Sequence, residues 1–417
     1  MTLLFLLISY DSLPPLPDLS QLYFPEPALW VQPVERSIEA YGYLGDLRGL
    51  YLSTVIPNLQ LAGFYSQNNE WDSTETGKGR LSYKLQFPGI WVEPRVTGFQ
   101  LRRDDEYRFV KPGLDIVGFP SFAVIPLSID YHYWEINQGS ASEGEATISL
   151  IFDKTRYLPC FTARSLYLDE RLNTILSGQI HIQNVHLLVS SPVTGGLSPL
   201  FGITYKKPFI DIGVQIQTGI TYNLLSEYFK DDVPIQFRTS VPNETLKVSV
   251  DFDAGFDMHD HSVRLLCSYK DWHHRLTPGE DFQISHIKET QEINATLQFN
   301  NSLRQTFGDI SNVFVLSYNW SDSTIAFLPE YTVIDTLQLR LGPFEIAADI
   351  RYVSEREGIE QTLSRYYIIN TDFGIRVYWL KPYIAVHNTT DQRDEIYDGY
   401  FLAGRQYAGG LHVEARF

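Results

Sequence analysis

The sequence predicts an all-β fold: a large antiparallel transmembrane β-barrel of about 20–22 strands. Three observations carry that expectation. Segments of about ten residues alternate strictly between apolar and polar positions, the period of a strand. No stretch approaches the roughly 18–20 consecutive apolar residues of a spanning helix. In the C-terminal half, very short turns alternate with long polar links. Composition sets the frame. The 417 residues carry 33 Lys and Arg against 50 Asp and Glu, a formal net charge of −17, which argues against a nucleic-acid partner. An aromatic content of 14% with only 20% charged residues is incompatible with a disordered chain. The 2 cysteines, Cys160 and Cys267, offer neither a disulfide framework nor a cysteine zinc site.

The chain begins with the apolar run Leu3–Ile8, followed by Ser9, Tyr10 and Asp11. It suits a short secretion signal, although a positive flank and a small-residue cleavage site are missing; the alternative is an ordinary apolar N-terminus. Leu13-Pro14-Pro15-Leu16-Pro17, with Pro25, Pro27 and Pro33, excludes regular helix or central strand. Residues 1–35 are therefore expected to be a signal-like segment and extended leader, and residues 36–417 the barrel. Alternation starts around Ile38–Tyr43 and Leu50–Ile56. The first half is less regular, and Gly178–Val189 reads as one strand that loses phase near Asn184.

From Ile210 onward the pattern is clean. Ile210, Ile212, Val214 and Ile216 oppose Asp211, Gly213, Gln215 and Gln217. Val248, Val250, Phe252 and Ala254 oppose Ser249, Asp251 and Asp253. Phe344, Ile346, Ala348, Ile350 and Tyr352 oppose Glu345, Ala347, Asp349 and Arg351. The last segment sets Tyr407, Gly409, Leu411, Val413, Ala415 and Phe417 against Ala408, Gly410, His412, Glu414 and Arg416. One apolar face per strand is buried either against a second sheet or against lipid. Strand length favours lipid, since soluble strands average about 5–6 residues. So do aromatics at strand ends: Tyr131, Tyr133, Trp134, Tyr366, Tyr367, Tyr378 and Trp379.

Tight turns are expected at Lys206–Pro208, Asp257–His261, Gly308–Ser311, Leu341–Pro343 and Leu380–Pro382. Long links are expected at Ser226–Glu244, His273–Gln291, Trp320–Glu330, Ser354–Ser364 and Asn388–Arg405, giving about ten strands from Phe209 on.

The stretch Leu328–Phe417 resembles the last strands of TonB-dependent outer-membrane receptors. Leu337–Leu341, the Gly342-Pro343 turn and Phe344–Val353 look like a late hairpin of that family. Asn388-Thr389-Thr390-Asp391 is similar to its Asn-x-x-Asp ending, and Gly404-Arg405-Gln406 to the opening of its final strand. The resemblance implies that Tyr407, Leu411, Val413, Ala415 and Phe417 form a C-terminal signal read by barrel-assembly machinery. It further implies an outer-membrane location, contact with outer-membrane lipid and lipopolysaccharide, and passage or uptake of a solute. Members of the family carry an N-terminal plug of well over a hundred residues. Only about 35 precede the alternation here, too few for a folded domain. A plug is thus expected to be absent or supplied, with energy coupling, by another protein. Two other roles remain open: a non-transporting structural or assembly barrel, and a soluble all-β binding protein.

No catalytic motif occurs, and an enzyme is not expected. His259-Asp260-His261 and His273-His274 are too far apart along one strand to share a metal, so neither metal nor cofactor is expected. The inward candidates are Asp211, Gln215, Gln217, Asp251, Asp253, Asp349, Arg351 and Arg376, read as a polar lumen wall braced by cross-strand charge pairs.

Overall fold

The computed structural model describes residues 37–416 except 46, 57–58, 69–73, 103–105, 121–122, 137–138, 153–158, 169–170, 183–184, 193–199, 208, 222–243, 259, 279–283, 306–307, 398–399 and 402–403. The signal-like segment, the Pro-rich leader and Phe417 lie outside the described residues. Strands dominate, and no helix occurs among the described residues. One sheet contains 23 strands, joined neighbour to neighbour in antiparallel pairs. Thr74–Tyr83 and Leu85–Phe87 flank the single residue Lys84 and both pair with Ile90–Arg102, so the wall has 22 staves. Ten of them lie between Ile210 and Arg416.

The sheet closes on itself. Ser37–Gly45 pairs with Gln406–Arg416 from Ser37 opposite Arg416 to Gly45 opposite Ala408. Closure gives every stave two neighbours and removes the exposed edge that an open sheet would present. At the seam, a Cβ on Gly410 would run into the Gly42 carbonyl oxygen and the Tyr383 ring, so only glycine fits there.

The two faces of the wall differ as alternation requires. On Phe344–Val353, Phe344, Ile346 and Ile350 are 42–46% exposed, whereas Glu345, Ala347 and Asp349 are 2–5% exposed. Curling a sheet crowds side chains on its concave side and splays them on the convex side. The exposed set is therefore the outer one, and it is apolar. A soluble barrel would be oily inside and wettable outside; this one is inverted. On Ile284–Gln305 the outward positions from Ile293 to Leu303 are apolar except Asn301. Ten steps of about 3.3 Å, tilted near 45°, span about 23 Å, close to the apolar band of a membrane barrel. This strand of 22 residues and its neighbour His261–Pro278 of 18 project well beyond that band.

Both ends of the sheet's chain meet at the end carrying the tight turns. Gly342 and Gly89 take left-handed φ values of 57° and 73° in two of them, where an L side chain would be strained. Residues 322–330, 354–365 and 388–405 link strands at the opposite end and hold two small hairpins, Arg356–Glu357 with Thr362–Leu363 and Glu395–Tyr397 with Tyr400–Phe401.

Four local expectations need correction. Gly178–Val189 is not one strand: Arg171–Ile182 and Val185–Pro192 are two strands paired antiparallel out to Ile182 opposite Val185, and Asn184 lies outside the described residues. Gly308–Ser311 belongs to the strand Gly308–Ser321, paired with Ser302–Gln305. The link His273–Gln291 is mostly strand, because His261–Pro278 and Ile284–Gln305 pair out to Pro278 opposite Ile284. Leu380–Pro382 opens the strand Leu380–His387, and the turn sits one step earlier, at Tyr378 with a left-handed φ of 56°. Pro382 is tolerated because pairing with Tyr366–Ile375 runs only from Thr371–Val386 to Gly374–Tyr383, leaving Pro382 beyond it.

Candidate functional site: the inward polar wall

The inward positions gather charge into clusters, each bridging several staves. At the seam, near the tight-turn end, Glu345 is the hub. Its Oε1 accepts a 2.8 Å hydrogen bond from Arg376 Nε and lies 3.0 Å from Arg340 Nη2; its Oε2 lies 2.9 Å from Lys381 Nζ. The Glu345 and Lys381 side chains are each only 6% exposed, so this pairing offsets the desolvation of both. Lys381 reaches Glu345 across the intervening strand because residue 374 is glycine; a Cβ there would meet Lys381 Cε.

The same device recurs elsewhere in the wall. Arg95, Gly113 and Asp130 stand in register on three successive strands. Arg95 Nη2 donates to both Asp130 oxygens at 2.8 Å and to Ser128 Oγ at 3.1 Å, and its Nη1 pairs with Asp115. A Cβ on Gly113 would collide with Asp130 Oδ1 and Arg95 Nε, so glycine opens the path for a two-strand bridge. Lys111 Nζ approaches Asp130 Oδ2 at 3.4 Å.

Above the apolar band a third cluster braces the projecting strands. Arg275 donates to Glu292 at 2.5 Å and to Glu244 at 2.9 Å, and its guanidinium lies 5.2 Å from the Trp272 ring centroid. Trp272 and Leu246 are buried beside it. The link 322–330 is tied to the same strands: Gln291 N and Thr290 Oγ1 each donate to Asp322 Oδ1 at 2.8 Å. The Gln291 backbone N–H, helped by Thr290 and Ser323, holds the Asp322 carboxyl below the usual carboxylate range.

The residues singled out in the sequence fall on this wall in separate places. Asp349 is buried and accepts from Thr336 Oγ1 at 3.0 Å, while Arg351 follows it on the same face. Arg376 is part of the seam cluster. Asp253 holds Arg264 through two hydrogen bonds of 2.9 and 2.5 Å, and Asp251 accepts from Ser249 Oγ at 3.0 Å. Asp211 stands opposite Lys206 and Gly255, Gln215 opposite Gly202 and Asp251, and Gln217 opposite Leu200 and Ser249. Arg264 and Leu266 are inward yet exposed, so the wall faces open space there. Of the C-terminal signal, Tyr407 and Leu411 face outward at 52% and 44% exposure, Val413 is half-buried, and Ala415 pairs with Ile38. His261 and His273 lie far apart on one strand, and His259 is outside the described residues. Among the described residues, no three His, Cys, Asp or Glu side chains gather to hold a metal.

The hubs Glu345, Arg95, Asp130 and Arg275 were not singled out from the sequence. The available signal was an inward acid on one strand and an inward base one or two strands on, with glycine between. The arrangement holds a rigid, hydrophilic wall inside an apolar sleeve.

No protein-family model matches the sequence, and no curated protein matches it. Solved structures do match in fold. The siderophore receptor PiuA from Acinetobacter baumannii aligns over 92% of this chain and 82% of its own, with 10% identity and a TM-score of 0.64. The copper transporter OprC aligns over 91% and 80%, with 9% identity and a TM-score of 0.65. The FrpB iron transporter from Neisseria meningitidis aligns over 93% and 82%, with 8% identity and a TM-score of 0.62. The fold resembles the barrels of TonB-dependent receptors.

Proposed function

We propose that this chain is an outer-membrane barrel that passes or takes up a solute. The observation that carries the reading is the inverted wall: exposed Phe344, Ile346 and Ile350 alternate with buried Glu345 and Asp349 on a sheet that closes through Ser37–Gly45 and Gln406–Arg416. Lipid is the solvent that stabilises such an exterior, and water or a polar solute the content that suits such an interior. The proteins of like fold are named a siderophore receptor, a copper transporter and an iron transporter, which supports a metal or metal-bearing solute. Discrimination would rest on the link end and on inward groups such as Asp253 and Arg264.

A cylinder of 22 staves has a lumen wide enough to need a filling. Inward-folded links or a separate polypeptide could each supply it, and a lumen left unfilled would be an open pore. Reconstitution into planar bilayers tests the reading. Stable channels are the expected result. An inserted but silent barrel would instead mean a structural or assembly role. A monodisperse protein in detergent-free buffer would overturn membrane insertion altogether.

A further inference from the structure

Among the described residues the outer face is mainly apolar, with scattered small polar groups such as Ser165 and Thr174, and one row on it combines an acid with amide and imidazole side chains. On Tyr331–Leu341, Thr336 points inward and donates to Asp349, so its neighbour Asp335 points outward, between Val333 and Leu337. Asp335 lies four residues from Tyr331 at the link end and six from Leu341 at the turn end, which places it well inside the apolar band. Asn312 Nδ2 donates to Asp335 Oδ1 at 2.5 Å and approaches the Thr336 carbonyl oxygen at 3.4 Å. Asn312 stands opposite Asn301, and Asn301 opposite His261. His261 Nδ1 and Asn301 Oδ1 are 3.2 Å apart. Four polar side chains thus cross four consecutive staves in one slanting row, flanked by Leu337, Phe314 and Phe299.

Hydrocarbon offers nothing to such groups, and ionisable residues kept at membrane depth mark contacts or functional sites. Hydrogen bonds between polar side chains are a means by which membrane segments associate. The row also has a polarity. Asp335 engages the donor of Asn312, which leaves Asn312 Oδ1 to accept. His261, donating to Asn301 Oδ1, leaves Asn301 Nδ2 to donate. Two barrels in one membrane share an orientation, so a symmetric pair is related by a two-fold axis along the membrane normal. Such an axis passing between Asn301 and Asn312 brings Asn301 of each copy against Asn312 of the other, a donor facing an acceptor twice over.

We propose that this row is the contact surface of a homodimer within the membrane, the occupant being a second copy of this chain. The inference rests on the membrane-barrel reading above. Disulfide trapping tests it in a background carrying Cys160→Ser and Cys267→Ser. Chains with Asn301→Cys and chains with Asn312→Cys, differently tagged, are produced together and oxidised in the membrane. A mixed-tag dimer is expected from this pair, and none when Ile350→Cys replaces Asn312→Cys. As a second readout, the otherwise native chain in lipid nanodiscs should have a dimer's mass and fall to a monomer's with Asn301→Leu and Asn312→Leu together. A native chain that is inserted, heat-modifiable and monomeric would overturn the dimer while leaving the barrel intact. Trapping only through Ile350→Cys, or only to a different protein, would also overturn it. Failure to insert would count against the barrel reading instead.

Discussion

The Asp391 carboxylate accepts the backbone N–H of Arg405 at 2.7 Å and so ties the last long link to the strand that closes the barrel. Asn388 and Asp391 both take left-handed φ values, 47° and 57°, which Asn and Asp tolerate better than other side chains. Asn388 completes the knot, accepting from Gln392 N at 3.1 Å and donating to the Gln392 carbonyl oxygen at 2.6 Å. The Asn-x-x-Asp pattern is thus a folded cap. Asp391→Ala should cost about 1 kcal/mol and expose residues 388–405 to protease, whereas Asp391→Asn should retain most of the contact. Limited proteolysis with mass mapping of the cut sites measures both.

The glycine bridges give a second expectation. Gly113→Ala and Gly374→Ala each push a methyl into the path of a buried cation, Arg95 or Lys381, and should destabilise by about 1–3 kcal/mol. Gly409→Ala meets nothing closer than 3.9 Å and should be near neutral. Urea midpoints of the loss of heat-modifiable mobility rank the three.

Removing the hub of the seam cluster should cost more. Glu345→Ala leaves Lys381 buried without its anion, and breaking one side of a buried pair costs about 3–5 kcal/mol. Adding Lys381→Met should restore a substantial part of that loss. Equal midpoints for the single and double variants would show that the two side chains are not coupled.

Asp322 supplies a pH dependence. Its carboxyl is held below its ordinary value, so the charged form is favoured in the folded link. That contribution is present above the ordinary carboxylate pKa of about 3.9 and is lost as pH falls through the lower, folded value. Carboxyl-carbon NMR should place the Asp322 titration below about 3.9. Thr290→Val, which removes the 2.8 Å donor, should move it upward.

Much of the wall was legible because one rule, polar or small in and apolar out, governs most of Phe344–Val353 and of the described side chains of Gln406–Arg416. Bends were harder to locate. Leu380-Lys381-Pro382 reads as a turn because proline usually interrupts pairing, yet the strand's partner stops short of Pro382 and Tyr378 makes the bend instead. The ion clusters were illegible for a different reason. Alternation says which side a charge faces, but Arg95 meets Asp130 only because of a register and an intervening glycine that no local pattern encodes. Asp335 faces outward beside the inward Ile334, so two adjacent letters invert the alternation within a strand that otherwise keeps it.

The pairing of Ser37 with Arg416 has a kinetic consequence. Hairpins along the chain can zip as neighbours emerge, but the first stave waits for the last. Until then the growing ribbon carries two unsatisfied rims, each able to graft onto another ribbon. A delay in delivering the terminal segment therefore threatens misassembly far more than an equal delay anywhere in the middle.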